Sequence, residues 1–361
     1  MSHPEGRTIA RVTAEKLDLE LTEPFGIAQG AQETAANVLV RVELHDGTVG
    51  LGEAAPFPAV SGETQAGALD AIERVAAELL DVDVARPRLI ASLAEHGAPD
   101  DPSARCAIEQ AAYDAFARHA GVPLWALFGG EGCDLETDMT ITTGSVDHAR
   151  DSAKAIEARG IATLKIKVGG TSVANDLDRI RAASNAANGA RVLLDANGAF
   201  TAREALDLVA SLREHGVHVA LFEQPVRADD LDGLALVTRE SEVLVCADES
   251  ARTVTDVLRL ADKRAVTAIN IKLMKSGVAR AAEMVAIARS AGLELMIGGM
   301  VESILSMTFS AHFAFGLGGF SYADLDTPLF MKASPFIGGF VLDRGRVALE
   351  SIERGVGVTL R

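Results

Sequence analysis

The spacing of apolar positions changes character near residue 137. Before it, Thr8 to Leu21 alternates polar and apolar residues, which predicts a strand. Asn37 to Glu53 (NVLVRVELHDGTVGLGE) reads as two strands joined around Asp46-Gly47, a dipeptide suited to a tight hairpin. Helical spacing follows over Thr64–Leu80 and Ser103–His119. Strands and helices grouped in this way predict an α+β unit.

From about Thr137, short β-rich runs alternate with longer Ala-rich stretches. The runs are DMTIT, TLKIKV, RVLLD, VALFE, VLVCAD, AINIK, LELMIG and SYADLD. Between them, Val146–Arg159, Ala202–His215 and Val278–Ala291 carry helical spacing. Eight strands separated by helices predict a parallel (β/α) barrel, with a doubly wound sheet as the rival. After Asp326, GGFVLDRGRVALE is a further strand–turn–strand pattern, expected to return to the N-terminal unit. The expected division is 1–133, 134–326 and 327–361.

The polar residues at the strand ends change the picture. Asp195 ends RVLLD, Glu223 ends VALFE and Asp248 ends VLVCAD, at separations of 28 and 25 residues, about one βα unit each. In a barrel the three carboxylates would meet at the C-terminal mouth, where barrel enzymes carry their chemistry. A single acid after a strand often caps the next helix, but three crowded carboxylates repel one another unless a cation neutralises them. Hard oxygen donors with room for water suit Mg²⁺, and Mn²⁺ would also fit. Glu249 is expected beside the site as a supporting acid. Asn197 faces the site or serves as a turn residue.

Lys165 and Lys167 are two apart in LKIKV, so both point to one face, while Leu164, Ile166 and Val168 point to the helices. Lys272, in NIKLMK, lies 24 residues after Asp248, on the sixth candidate strand. The second and sixth strands lie on opposite sides of an eight-stranded barrel, so Lys167 and Lys272 would face each other across a substrate. A base on each face of a carbon removes a proton from one side and returns one from the other, which is a racemase or epimerase reaction. Lys165 is expected to depress the pKa of Lys167 and to offset developing oxyanion charge.

Composition narrows the partners. The chain has 361 residues, 48% hydrophobic and 24% charged, enough for a large core and about two domains. Its 34 basic and 51 acidic residues give a net charge of −17, which argues against nucleic acid or an anionic membrane as partner. Three cysteines, Cys106, Cys133 and Cys246, include no CxxC and support neither a disulfide framework nor a zinc site. MSHPEGRTIARV lacks an apolar signal core, and no run reaches the ~18 apolar residues of a membrane span, so a cytoplasmic protein is expected. His119, His148 and His312 are expected at the surface or in the core.

Lys165-Ile-Lys167, Asp195-Ala-Asn197, Glu223-Gln-Pro225, Asp248-Glu249-Ser250 and Asn270-Ile-Lys272, in this order, resemble the enolase superfamily in its muconate-lactonizing subgroup. Pro24-Phe25, Gly50-Leu-Gly-Glu53 and Gly298-Gly-Met-Val-Glu302 extend the resemblance across the chain. It implies an N-terminal α+β capping domain over a modified (β/α)7β barrel. It also implies Mg²⁺ on Asp195, Glu223 and Asp248, with Lys167 and Lys272 as the acid/base pair, and a homo-oligomer.

The subgroup includes muconate cycloisomerases, o-succinylbenzoate synthases, N-succinylamino acid racemases and dipeptide epimerases. Asp324-Leu-Asp326 at the eighth strand places two carboxylates on one face. They would repel a dicarboxylate and attract an ammonium, and the pattern is similar to that of dipeptide epimerases. Epimerases of the L-Ala-L-Glu type carry an Arg after the Pro-Phe motif; here Pro24 to Gly30 (PFGIAQG) holds no basic residue. Ile27 and Phe57 would suit an apolar side chain, Gln29 a polar one, and Met300 would line the wall. The expected activity is therefore Mg²⁺-dependent inversion of the C-terminal α-carbon of a dipeptide not restricted to Glu. N-acylamino acid racemase, o-succinylbenzoate synthase, muconate-type cycloisomerase and a non-catalytic carboxylate-binding protein are the alternatives.

Overall fold

The computed structural model describes residues 6–27, 30–132 and 134–361. The chain opens with an antiparallel sheet of β1 (Ile9–Ile27), β2 (Gly30–Leu44) and β3 (Val49–Ala54). The turn between β2 and β3 falls at Asp46-Gly47, where Gly47 takes φ 83 and Asp46 Oδ1 accepts the Thr48 N–H. β1 and β2 are both longer than the alternation suggested. β1 runs on past Leu21 through Pro24-Phe25, with a register irregularity between Glu20 and Phe25.

The helices Gln65–Ala76, Pro87–Gly97 and Pro102–Ala120 complete the unit. The last of these lies against β3 through small residues. A Cβ on Gly50 would sit 2.1 Å from the Ala111 carbonyl oxygen, and one on Gly52 would sit 2.0 Å from that of Ala107. Glycine is required there by the helix backbone itself, which sets how closely helix and sheet pack.

Eight parallel strands follow in sequential order. They are β4 (Met139–Ile141), β5 (Thr163–Lys167), β6 (Arg191–Asp195), β7 (Val219–Glu223), β8 (Leu244–Ala247), β9 (Ala268–Lys272), β10 (Glu294–Gly298) and β11 (Tyr322–Ala323). The edges join at a parallel bridge between Thr137 and Ala323, where the Asp138 N–H donates to the Ala323 carbonyl at 2.9 Å. Sequential order and this closure exclude the doubly wound rival. Alternation sorts each strand: Leu164 and Ile166 pack outward under the helices, while Lys165 and Lys167 point in. The barrel floor is apolar, made by Leu193, Leu221, Cys246, Ala268 and Met296. Cys106 and Cys246 are buried free thiols, and Cys133 lies outside the described residues.

Beyond the barrel the chain touches both units. Leu21 bridges Met331, and the Leu124 N–H donates to the Gly355 carbonyl, so these stretches lie on the N-terminal unit. The hairpin of β13 (Val341–Asp343) and β14 (Arg346–Ala348) turns at Arg344-Gly345, both at positive φ. It is bound through Thr137 and Leu135 to the entry of β4 rather than to the N-terminal sheet. β12 (Phe336–Gly338) and β15 (Val358–Leu360) pair antiparallel. No helix among the described residues is long and apolar enough to cross a membrane.

Two consequences are measurable. Gly52→Ala is expected to destabilise the protein by about 1–3 kcal/mol through overpacking, read as a lower thermal midpoint. Glu109, on the helix Pro102–Ala120, is buried under the start of the helix Val278–Ser290 and accepts the Ala279 N–H at 2.8 Å. Burial raises its pKa from 4.5 to about 7. A raised folded-state pKa contributes stability that is complete below the ordinary value and is lost as pH rises through about 7. The Glu109→Gln variant lacks this loss, so its thermal midpoint relative to wild type should rise between pH 5 and pH 8.

Candidate active site

The inward positions at the C-terminal ends of the barrel strands form one charged layer. Asp195 and Glu223, the last residues of β6 and β7, are register partners, and Asp248 follows β8. All three are buried, as are Lys165, Lys167 and Lys272. Lys165 Nζ lies 2.6 Å from Asp324 Oδ2, 2.7 Å from Glu223 Oε2 and 3.2 Å from Asp195 Oδ2. Lys167 Nζ donates to Asp195 Oδ2 at 2.5 Å, and Lys272 Nζ lies 2.7 Å from Asp248 Oδ2.

These pairs decide the charge states. Burial alone would raise the Asp195 carboxyl, but Lys167 and Lys165 outweigh it and hold it at about 2. Asp248 is likewise held well below its ordinary value, burial being overcome by Lys272 and Lys275. Glu223 goes the other way: burial and the nearby Asp195 raise it against the pull of Lys165. Burial would lower Lys272, yet Asp248 and Glu223 raise it, and carboxylates raise Lys165 in the same way. Asp195, Glu223 and Asp248 offer carboxylate oxygens, the donor type a hard cation takes. Lys165 Nζ already bridges Asp195 and Glu223 as a positive charge, which shows that the two carboxylates converge.

The loops after the strands hold the layer in shape. The Asn197 N–H donates to Asp195 Oδ1, and Asn197 Nδ2 donates to Glu249 Oε1 at 3.1 Å. Burial and Asp248 raise Glu249 to about 7. Asn197 and Gln224 sit at φ 45 and 36, a strained region for non-glycine residues. Gln224 Oε1 accepts the Asp248 and Ser250 N–H groups, so this backbone fixes the Asp248 loop.

Four further groups lie outside the strand-end spacing. Lys275 Nζ donates to Asp248 Oδ1 at 2.6 Å and to the carbonyls of Asp248 and Asn270. Asn270 Nδ2 donates to Glu223 Oε1 at 2.8 Å. Gln224 and Asp138 are the others. Among the described residues, the carboxylates whose oxygens all lie within 4.8 Å of one another are Asp138, Asp324 and Asp326. Asp195, Glu223 and Asp248 are each engaged by lysines instead. Period-two alternation carried a signal for Asn270 before Lys272 and for Asp138 before Thr140.

A pocket opens above this layer. Lys167, Lys272, Asp248, Asn197, Glu249 and Asp324 form its polar wall. Phe25, Phe57, Val60, Met300 and Val301 form its apolar wall. Phe57 and Met300, named from the sequence, line this pocket together with Phe25, Val60 and Val301. Lys165 and Asp326 are buried and are not among the residues that line it. Gln29 and the side chain of Ile27 lie outside the described residues.

The strand β10 loop that brings in Met300 is tied to the N-terminal sheet. Asn37 Nδ2 donates to the Val301 carbonyl and to Glu53 Oε1, and the Ser303 N–H donates to the same Glu53 oxygen. Glu302, in the same loop, is buried. It accepts the Met300 N–H and the Ser306 hydroxyl. His119 pairs with Asp46, His148 meets Thr142 Oγ1, and buried His312 accepts the Trp125 N–H, so none lies in the pocket.

The chain is 52% identical over 353 residues to an aromatic dipeptide epimerase of Herpetosiphon aurantiacus, covering 98% of this chain and 99% of that protein. It is 37% identical over 346 residues to an L-Ala-D/L-Glu epimerase of Thermotoga maritima, covering 95% and 99%. The crystal structure of a dipeptide epimerase from Enterococcus faecalis, complexed with Mg and the dipeptide L-Leu-L-Tyr, superposes with a TM-score of 0.93 at 33% identity, covering 98% of this chain and 99% of that one. Residues 9–129 match the mandelate racemase / muconate lactonizing enzyme N-terminal domain, and residues 147–361 match the enolase C-terminal domain-like family. With its capping sheet, its sequential barrel and this charged mouth, the chain belongs to the mandelate racemase/muconate lactonizing enzyme family of the enolase superfamily.

Proposed function

We propose that this protein is a Mg²⁺-dependent dipeptide epimerase that inverts the α-carbon of the C-terminal residue. Its relatives at high coverage are epimerases of dipeptides, which supports the class. The observation that carries the mechanism is the placement of two lysines. Lys167 from β5 and Lys272 from β9, four strands apart in an eight-stranded barrel, both line the pocket that Asp324 also reaches.

Asp195, Glu223 and Asp248 would hold the metal, which when bound offsets the charge that gathers on the substrate carboxylate as the α-proton leaves. The residues of the chain do the rest. Asp324 holds the terminal ammonium, and this fixes the register of the peptide in the pocket. One lysine accepts the α-proton while the other, as an ammonium, donates to the opposite face. Lys165, set among Asp324, Glu223 and Asp195, keeps the carboxylate layer from flying apart. Asn197 and Glu249 support Asp195 from the loop side. An N-acylated substrate would present no cation to Asp324.

The side-chain pocket sets the substrate class. Phe25, Phe57, Val60, Met300 and Val301 offer apolar contact, and no Arg lines the pocket among the described residues. We therefore assign an apolar or aromatic C-terminal residue. The N-terminal unit supplies Phe25, Phe57 and Val60, so it acts as the cap that shapes this pocket.

Two measurements test these assignments. Lys167→Ala and Lys272→Ala should each slow epimerisation about 10²-fold or more. In D2O each variant should retain exchange from one epimer only, and from opposite epimers in the two cases. Full epimerisation by both variants would remove the two-base mechanism. In the wild type, kcat/KM for L-Ala-L-Phe should exceed that for L-Ala-L-Glu by about tenfold or more, since a buried carboxylate without a partner is strongly disfavoured. The reverse order would show that another residue supplies a cation.

A further inference from the structure

Asp138 has no place in the mechanism above, yet it is among the most constrained acids in the molecule. It is 1% exposed, and among the described residues neither of its side-chain oxygens has a hydrogen-bond partner. Asp326 Oδ1 is in the same condition. Asp138, Asp324 and Asp326 each bring a carboxylate oxygen to within 4.8 Å of the other two. The backbone fixes the arrangement at the barrel seam. The Asp138 N–H donates to Ala323, the Leu325 N–H donates to Thr137 Oγ1, and the Thr140 N–H donates to Asp326 Oδ2 at 2.6 Å.

A buried carboxyl without a donor is unfavourable, so such a group implies one that arrives. The nearby cation is already committed: Lys165 serves Asp324, Glu223 and Asp195. Asp324 and Thr140 line the pocket, and a carboxylate oxygen of Asp138 lies within 4.8 Å of one of Asp324. We propose that Asp138 is the third oxygen partner of the substrate's terminal ammonium, beside Asp324 and Asp326; this rests on, and deepens, the dipeptide reading above. Three fixed oxygens match the three N–H donors of a primary ammonium. An N-acyl nitrogen has one N–H and no charge, so the same cluster rejects it. Burial first, and Asp324 next, hold the Asp138 carboxyl well above its ordinary range in the free protein. An incoming ammonium favours the ionised form.

The test compares wild type, Asp138→Ala and Asp138→Asn, each loaded with Mg²⁺. Deuterium exchange is followed on L-Ala-L-Phe and on its N-acetyl counterpart. In Asp138→Ala the loss should fall mainly on KM for the free-amine dipeptide, about tenfold or more, as expected for a contact made equally in ground and transition states. The preference for free amine over N-acetyl substrate should shrink by the same factor. Asp138→Asn keeps the shape and one acceptor oxygen, and should recover part of the lost preference. An unchanged preference in both variants would overturn the proposal. So would a loss of kcat shared by both substrates, which would mark a purely structural role. A higher Mg²⁺ requirement with unchanged dipeptide KM would overturn it in favour of a metal ion at the cluster. No exchange by the wild type on any dipeptide would defeat the reading of the site itself, and the proposal with it.

Discussion

Six carboxyl groups and three ammonium groups are buried together in the mouth of this barrel: Asp138, Asp195, Glu223, Asp248, Asp324 and Asp326 against Lys165, Lys167 and Lys272. Removing ions from water is unfavourable unless each finds partners, and removing one member leaves another uncompensated. Much of the local architecture meets that requirement. Gln224 and Asn197 accept strained backbone so that their polar groups reach Asp248 and Asp195. Asn270 and Lys275 occupy the remaining acceptors of Glu223 and Asp248. The apolar floor beneath keeps water from doing the same work.

The pocket above it is a joint product of two units. The Glu53–Asn37 pair binds the Val301–Ser303 backbone, so the loop that presents Met300 to the pocket takes its shape from the N-terminal sheet. Phe25 makes an edge contact with Phe330, ring centroids 5.5 Å apart, which ties the end of β1 to the segment after the barrel. The two units are thus joined at the pocket through buried hydrogen bonds.

The barrel and its mouth were legible because one rule governs both. Period-two alternation turns Lys165 and Lys167 inward, and a constant βα length brings Asp195, Glu223, Asp248 and Lys272 to one level. Asp324 and Asp326 were legible on the same ground. Lys275 and Gln224 were not, because they act across loops whose contacts depend on register between strands. Asp138 lay one step outside the rule, since it precedes its strand rather than ending it. It sits at the barrel seam, where its N–H donates to the Ala323 carbonyl next to Asp324. The apolar wall was only partly legible. Phe57 and Met300 were foreseen, while Phe25 and Val60 line the pocket through a long β1 and a four-residue helix that alternation did not delimit.

The barrel closes on a two-residue strand and a bridge between Thr137 and Ala323, much less backbone pairing than joins β5 to β6 or β9 to β10. Asp138, Asp324 and Asp326 straddle that seam. A cation held among them would therefore act as a clasp between the first and last staves of the cylinder. Ligand binding there would add to the free energy that keeps the cylinder shut.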